Sequence, residues 1–307
     1  MSIKRSFQKV ILFFVLLGFG EVTILSAQNQ SGQLDKPKIY VSVPPLAYFV
    51  ERICENDFEI VTVIRPGQSP TTYETTPKRL AQFSKAKIFF TAGVPFEKQL
   101  NKKLKNTFEN LNIIDTQEGI LLQELEHHHH GDAEHDDETD ENDEGSLDPH
   151  TWLDPSLSKI ISQNIYDGLI NIYPSDSLKY QKNLNALLED LSNIDIFIKQ
   201  KLKPYPNRHF YCFHPAFGYF ARAYDLHQIA IEVDGKEPSA RQLSDIIKKA
   251  QKDKVEILFT QPQFSDKSAR AIAESVGAKV VPIDPLSKDY LNNLKAITSQ
   301  LVLAFEE

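Results

Sequence analysis

Three residues of metal-binding type lie in loops at the ends of predicted strands or helices, and they come from both halves of the chain. His150 lies in a short polar run before a helix, and His214 and Asp284 each follow an apolar, strand-like run. In open α/β sheets, ligands bind beyond the carboxyl ends of the strands, so these side chains are candidates for one site. Two imidazole nitrogens and a carboxylate oxygen form a ligand set that suits zinc, and also manganese or iron.

Each candidate also has a simpler structural role open to it. A single histidine after a strand is more often a hydrogen-bonded loop residue than a metal ligand. Asp284 precedes Pro285 and can cap the next helix, as we expect Asp154 to do before Pro155. Residue type and position alone leave both interpretations open.

A second group of histidines lies in a low-complexity segment over 127–145. This segment combines histidine with acidic residues and has almost no apolar side chains, so we predict a disordered loop. Consecutive imidazoles among carboxylates bind Zn²⁺ or Cu²⁺ weakly whatever the fold, which makes these residues auxiliary candidates. A solvated loop without a metal role is the alternative. The histidines concerned are His127, His128, His129, His130 and His135.

Two arrays of alternating strands and helices must position these loops. Strand patterns recur at 38–43, 58–64, 87–91 and 112–114, and again at 209–213, 228–233, 256–260 and 279–283. Helical patterns lie between them and after the last strand, at 46–54, 76–85, 96–105, 217–224, 239–252, 269–276 and 290–305. Such alternation predicts an α/β fold with a mainly parallel sheet in each array.

A long helix is predicted between the two arrays. After a helix over 154–173, apolar residues such as Leu184, Leu187 and Leu191 recur at helical spacing until Pro204. A helix of this extent is about 40 Å long, enough to run from one lobe to another. The predicted domains are an N-terminal α/β lobe over 37–174, a linking helix over 175–203 and a C-terminal α/β lobe over 204–307.

The start of the chain and its charge suggest where the protein works. Lys4, Arg5 and Lys9 precede the apolar run 10–20, which predicts a secretory signal over 1–27 and export to the periplasm or another extracytoplasmic compartment. An uncleaved anchor helix is the alternative, although the run is short for a span of about 20 residues. The net charge is -8 and is concentrated at 132–144, which argues against a nucleic-acid partner.

The chain has two cysteines, Cys54 and Cys212, which fall in different predicted lobes. An exported protein could join them, but two cysteines this far apart indicate no disulfide framework. We expect two buried thiols, since unoxidised cysteine behaves as a small core residue.

Six short motifs occur together in this chain, at 66–70, 73–74, 148–155, 213–220, 261–264 and 284–286. They resemble the zinc-type substrate-binding proteins of ABC importers (cluster A-I), a group that also includes manganese binders and adhesin-like lipoproteins. The resemblance implies two α/β lobes joined by one long helix, with metal bound in the cleft between them. It also implies His150, His214 and Asp284 as metal ligands, and an ABC permease subunit as partner.

One position departs from the family pattern. The family usually carries a histidine where this chain has Thr71, and a neutral threonine is a poor zinc ligand. Three protein ligands with one exchangeable position would still make a zinc site of the open type. Glu74 on the same loop, a water molecule, or a histidine from 127–130 could fill the remaining position.

The leading functional hypothesis is capture and delivery of a divalent transition metal by a monomeric, non-enzymatic binding protein. Zn²⁺ is the expected cargo, with Mn²⁺ or iron as the alternative within the same family. A second hypothesis is a metal-buffering or adhesion protein that has no transporter. A third is a zinc hydrolase, in which the metal would activate water and Glu74 would act as the base.

Overall fold

A computed structural model of the chain describes residues 36–125, 147–233 and 235–306. The predicted signal over 1–27 lies outside the described residues. So does the predicted loop over 127–145 with its five histidines. Glu124 and Leu147, on either side of that segment, form an isolated antiparallel bridge.

The first sheet contains four parallel strands in the order β2-β1-β3-β4. Its central strands are rich in β-branched and aromatic residues and are mostly buried, as expected for a sheet covered on both faces. The strands are β1 (Lys38–Val41), β2 (Glu59–Thr62), β3 (Ala86–Thr91) and β4 (Asn112–Asp115). The connecting helices are α1 (Pro44–Cys54), α2 (Pro77–Gln82) and α3 (Phe96–Thr107).

The long helical segment follows the first sheet. Helix α4 (Pro155–Ile172) begins after Asp154, whose carboxylate accepts the backbone N–H of Ser156 at 2.7 Å, so the predicted cap is confirmed. Helix α5 (Ser177–Leu202) has 26 residues and is therefore about 39 Å long. Its buried stripe, which includes Leu184, Leu187 and Leu191, packs against α1, α4 and the C-terminal helix.

The second sheet has the same topology, with parallel strands in the order β6-β5-β7-β8. Its strands are β5 (Arg208–Cys212), β6 (Leu226–Ala230), β7 (Ile257–Thr260) and β8 (Lys279–Pro282). Its helices are α6 (Gly218–Ala223), α7 (Ala240–Lys252), α8 (Lys267–Val276) and α9 (Tyr290–Glu306). The predicted two-sheet α/β architecture is thus confirmed.

Strand β6 lies earlier in the chain than the predicted strand over 228–233. Regular strand pairing ends at Ala230. The N–H groups of Ile231 and Glu232 still bond to carbonyls at the end of β5, and Val233 pairs with Lys236 in an isolated bridge. Gly235 has φ = 73° in the turn between them, a conformation that glycine adopts without steric cost. The predicted strand was too long at this end because Ile231 and Val233 are apolar although they lie outside β6.

Most buried apolar side chains form one continuous core that includes residues of both sheets. Phe89 of β3, Leu187 of α5, Phe259 of β7 and Leu294 of α9 all belong to it. A smaller cluster lies on the other face of the second sheet, beneath α7 and α8.

Cys54 and Cys212 are both buried thiols, as expected from the sequence. In the described part of the chain, no helix has the length and hydropathy needed to cross a membrane.

Candidate metal centre

The imidazole rings of His150 and His214 lie next to each other. Their centres are 5.2 Å apart, with 71° between the ring planes, and both residues are buried. A metal ion about 2.1 Å from one nitrogen of each of two imidazoles holds the ring centres about 4.5–5.3 Å apart when the ligand angle is about 90–110°. The spacing of the two rings is therefore that of a pair able to share one ion.

His150 is fixed by a buried carboxylate two residues before it. Asp148 Oδ1 accepts the His150 backbone N–H at 2.9 Å and lies 2.7 Å from His150 Nδ1. The loop is also held from the end of the first sheet, where Gln117 Nε2 donates to the Pro149 carbonyl and to Thr151 Oγ1, both at 2.9 Å. These bonds set the position of the loop and the orientation of the ring.

The second lobe holds His214 in a similar way. Glu232 Oε1 lies 2.7 Å from His214 Nδ1, and the ring stacks on Phe264 with centres 4.7 Å apart. Gln261 binds the His214 backbone twice, accepting its N–H at 3.1 Å and donating to its carbonyl at 2.7 Å. Both histidines thus direct Nδ1 at a carboxylate, which leaves Nε2 as the nitrogen available to a metal ion.

The electrostatics of the site favour a neutral imidazole and a bound cation. Burial lowers the pKa of His214, and His150 adds to this effect while Glu232 opposes it, so His214 is neutral near pH 7. Among the described residues, Glu232 Oε2 and Gln263 Oε1 are buried oxygens without a hydrogen-bond partner. Unpartnered buried acceptors are costly without a counter-charge, and a cation in this region would offset that cost.

Asp284 lies on a loop that is tied to the His150 loop. Its Oδ1 accepts hydrogen bonds from Gln263 Nε2 at 2.7 Å and from the Leu286 backbone N–H at 2.9 Å. Trp152 Nε1 donates to the carbonyl of Pro285 at 2.8 Å, and the Trp152 ring centre is 5.2 Å from that of His150. Asp284 therefore stabilises the turn of its own loop and does not cap a helix, because the next helix, α9, begins only at Tyr290.

The structure brings together only part of the predicted ligand set. His150 and His214 meet, but no three His, Cys, Asp or Glu side chains form a metal-holding group within the described residues. Thr71 is exposed, and its Oγ1 lies 2.6 Å from Ser69 Oγ. Glu74 is also exposed and lines a surface pocket with Gln263, the partner of Asp284.

Sequence reasoning missed the residues that orient the two histidines. Asp148 belongs to the recognised motif but was not assigned a role, and Glu232 was not singled out. Glu232 follows strand β6 at its carboxyl end, which is the sheet edge where ligand-binding residues gather. An acidic residue at that edge was the available signal.

The chain matches a family model described as "ZnuA: Zinc-uptake complex component A periplasmic" over residues 39–304. It is 26% identical over 288 residues to the zinc-binding protein AdcA of Streptococcus pyogenes, a match that covers 91% of this chain and 56% of AdcA. It is 27% identical over 286 residues to the high-affinity zinc uptake system protein ZnuA of Yersinia pestis, covering 86% and 90% of the two chains. The chain thus spans little more than half the length of its streptococcal relatives.

Solved structures give the same result. A crystal structure of ZnuA superposes with a TM-score of 0.79 at 36% identity, covering 88% of this chain and 99% of the other. A deletion mutant of ZnuA with zinc bound superposes with a TM-score of 0.78, also at 36% identity, covering 88% and 98%. The periplasmic zinc-binding protein TroA of Treponema pallidum shares the fold, with a TM-score of 0.76 at 19% identity and coverage of 88% and 99%. The chain therefore belongs to the ZnuA family of periplasmic zinc-uptake components.

Proposed function

We propose that this chain is the extracytoplasmic zinc-binding component of an ABC importer. The observation that carries the proposal is the contact between His150 and His214, two buried imidazoles from different lobes with centres 5.2 Å apart. Each has its Nδ1 on a buried carboxylate, the arrangement that orients histidine ligands in metal sites. The names of relatives agree, since AdcA and the Yersinia ZnuA are named for zinc binding and zinc uptake.

In this proposal the zinc ion binds His150 Nε2 and His214 Nε2, and Asp284 adds a carboxylate oxygen. Asp284 Oδ1 is already engaged by Gln263 and the Leu286 N–H, so Oδ2 is the oxygen assigned to the metal. A modest rotation of Asp284, or a small movement of its loop, would complete the set on binding. The fourth position goes to water, to Glu74 or to a histidine from 127–130, which gives an open zinc site.

We further propose that metal binding changes the protein locally rather than by a large movement of the lobes. The buried core is continuous between the two sheets, and α5 packs against elements of both halves. A large hinge rotation would have to expose part of that core. Small shifts of the Asp284 and His214 loops need no such exposure. The exported protein would act as a monomer and pass its ion to a permease subunit at the outer side of the membrane.

Zinc titration of the exported chain, monitored by calorimetry with a competing chelator, tests this proposal. We expect one ion bound more tightly than about 1 μM. His150→Ala and His214→Ala should each weaken that binding at least about 100-fold, because removing either ring breaks the pair. A variant lacking 127–144 removes weak background binding, and unchanged affinity and stoichiometry of the tight site would show that this segment supplies no ligand. Full-affinity zinc binding by His214→Ala would contradict the proposal.

The same titrations decide between cargoes. Zinc should displace Mn²⁺ from the site, since affinity for a nitrogen-containing site rises from manganese towards the end of the first transition series. Tighter binding of Mn²⁺ than of Zn²⁺ would assign the chain to manganese transport. If the protein binds no metal ion tightly but adheres to a surface, the adhesion hypothesis is favoured.

A further inference from the structure

A second pair of histidines lies at the opposite end of the C-terminal sheet. His209 is the second residue of β5 and His227 the second residue of β6, and the two are direct neighbours in the parallel register. Both residues are exposed, and their rings are stacked with centres 5.0 Å apart and 27° between the planes. The pair is therefore preformed by the backbone, because register fixes which side chains face each other.

The distance between these ring centres falls in the same range as that of His150 and His214, but the rings are stacked, so both must turn about their side-chain torsions before one nitrogen of each points at a shared ion. Ring centres about 4.5–5.3 Å apart suit two imidazoles that share one ion at about 2.1 Å. His209 lies five positions before His214, which corresponds to about 16 Å along an extended strand. One ion cannot bridge that distance, so the two pairs are separate.

An oxygen donor lies close to the second pair. Asp253, at the end of α7, lines the same pocket as His209. Its Oδ2 accepts the Tyr211 hydroxyl at 2.7 Å, and Tyr211 shares a sheet face with His209 because the two are two residues apart on β5. Lys249, on the last turn of α7, also acts on His209 and opposes a cation there. The charges around the pair are thus mixed, which limits affinity.

The chemical state of His209 also suits metal binding. Burial and the neighbouring His227 lower the pKa of His209, with Asp253 acting in the other direction. A neutral imidazole binds a metal without first losing a proton, so His209 needs no deprotonation near pH 7.

We propose that His209 and His227 form a second, weaker transition-metal site, distinct from the proposed zinc cleft. It takes a late divalent ion such as Cu²⁺, Ni²⁺ or Zn²⁺, with water completing the coordination. Two imidazoles with a nearby carboxylate match the nitrogen preference of these ions, and Cu²⁺ binds most tightly of the three. Hard, oxygen-preferring ions such as Mg²⁺ or Ca²⁺ do not bind there.

Ni²⁺ titration of the full chain tests this site, with one equivalent of zinc already added. Three variants are compared with the parent chain: His209→Asn, His227→Asn and the double variant. Both side chains are exposed, so these changes leave the fold intact, and thermal unfolding verifies that. The histidines of 127–135 contribute the same background to every sample. All samples also receive the same equivalent of zinc, so the comparison among the four chains holds whether or not zinc occupies the proposed cleft.

The expected result is non-additive. If one ion bridges the two rings, each single variant loses about tenfold or more in Ni²⁺ affinity for one binding equivalent, and the double variant loses no more than either single variant. Nuclear magnetic resonance of the two imidazoles should show both shifting with the same titration midpoint. Additive losses, separate midpoints or an unchanged titration in the double variant would each overturn the proposal.

Discussion

A Cβ atom placed on Gly218 would lie 2.9 Å from Oδ2 of Asp148. Gly218 begins helix α6 in the second sheet, whereas Asp148 holds His150 beside the first sheet. The two halves of the candidate metal centre thus meet at a glycine because only a hydrogen atom fits between them. Tyr219, the next residue, donates its hydroxyl to the Asp148 carbonyl at 2.9 Å and strengthens the same contact.

Gly218→Ala should weaken zinc binding more than the addition of one methyl group would suggest. The added methyl must displace Asp148, which would turn the His150 ring away from His214. We expect a loss of zinc affinity of about tenfold and a loss of about 1–3 kcal/mol in stability from overpacking. Chelator competition and chemical denaturation measure the two effects.

Gly168→Ala is the matched control. A Cβ at that position in α4 would lie 2.5 Å from a side-chain carbon of Ile114, so the variant overpacks the core away from the site. It should lose stability but retain zinc affinity. Equal losses of affinity in both variants would mean that Gly218 acts through general destabilisation.

Glu232→Gln tests the carboxylate behind His214. The amide can still accept the hydrogen bond from Nδ1, but it removes a negative charge that makes His214 a better ligand. Loss of such an oriented carboxylate costs about 10–100-fold in metal affinity. Glu59→Gln, which removes an exposed ion pair with Lys38, serves as the control. Unchanged zinc affinity in Glu232→Gln would show that the charge plays no part.

Thr71→His restores the residue that the family usually carries at this position. If the loop approaches the cleft, the new imidazole replaces a water ligand and zinc binds about tenfold more tightly or better. Thr72→His is the control, because it places the same side chain at the adjacent exposed position. Equal affinities for the parent chain and Thr71→His would indicate that this loop stays away from the metal.

We expect Glu97 to make the free energy of unfolding depend on pH. The carboxyl is 4% exposed and accepts the backbone N–H groups of Ala92 and Gly93 at 2.9 Å each. Burial raises its pKa to about 7, and the two hydrogen bonds only partly oppose this effect. Between about pH 4.5 and pH 7 the folded protein retains a proton that the unfolded chain has released. Its stability therefore falls as pH rises through this range, by up to about 3 kcal/mol.

Glu97→Gln should remove this slope. Urea denaturation at several pH values from 5 to 8 measures it as the difference in unfolding free energy between the parent chain and the variant. Taking the difference cancels the contribution of His214, whose lowered pKa acts with the opposite sign. The exposed Glu118→Gln is the control and should keep the parent profile. A parent–variant difference that is constant with pH would contradict the prediction.

Local patterns were enough to predict most of the fold. Asp154 before Pro155 and Ser239 three residues before Gln242 mark helix starts through their own capping bonds, and both caps form. Strands β3 and β7 each contain three consecutive buried apolar residues, at 88–90 and 257–259, a pattern that predicts a buried strand. Such signals are local, so they are readable from one sequence.

The site depended on relationships that a single sequence does not contain. Glu232 reaches His214 only because β6 lies beside β5, and Asp148 is pressed against Gly218 only because the two sheets share a core. The sequence identified His150 from its place before a helix and His214 from its place after a strand, and both from the motifs around them. It did not determine the distance between their rings, which is set by the packing of the two lobes. The place of Asp284 relative to both rings is still a prediction.

The bridge between Glu124 and Leu147 has a consequence for how this protein can vary. It pairs the two residues that flank the histidine-rich sequence, so these two points stay together whatever number of residues lies between them. Doubling the number of residues between two paired points costs only about 0.6 kcal/mol in loop-closure entropy. The number of histidines carried between these two residues can therefore rise or fall over evolution, or by design, almost independently of the stability of the protein that carries them.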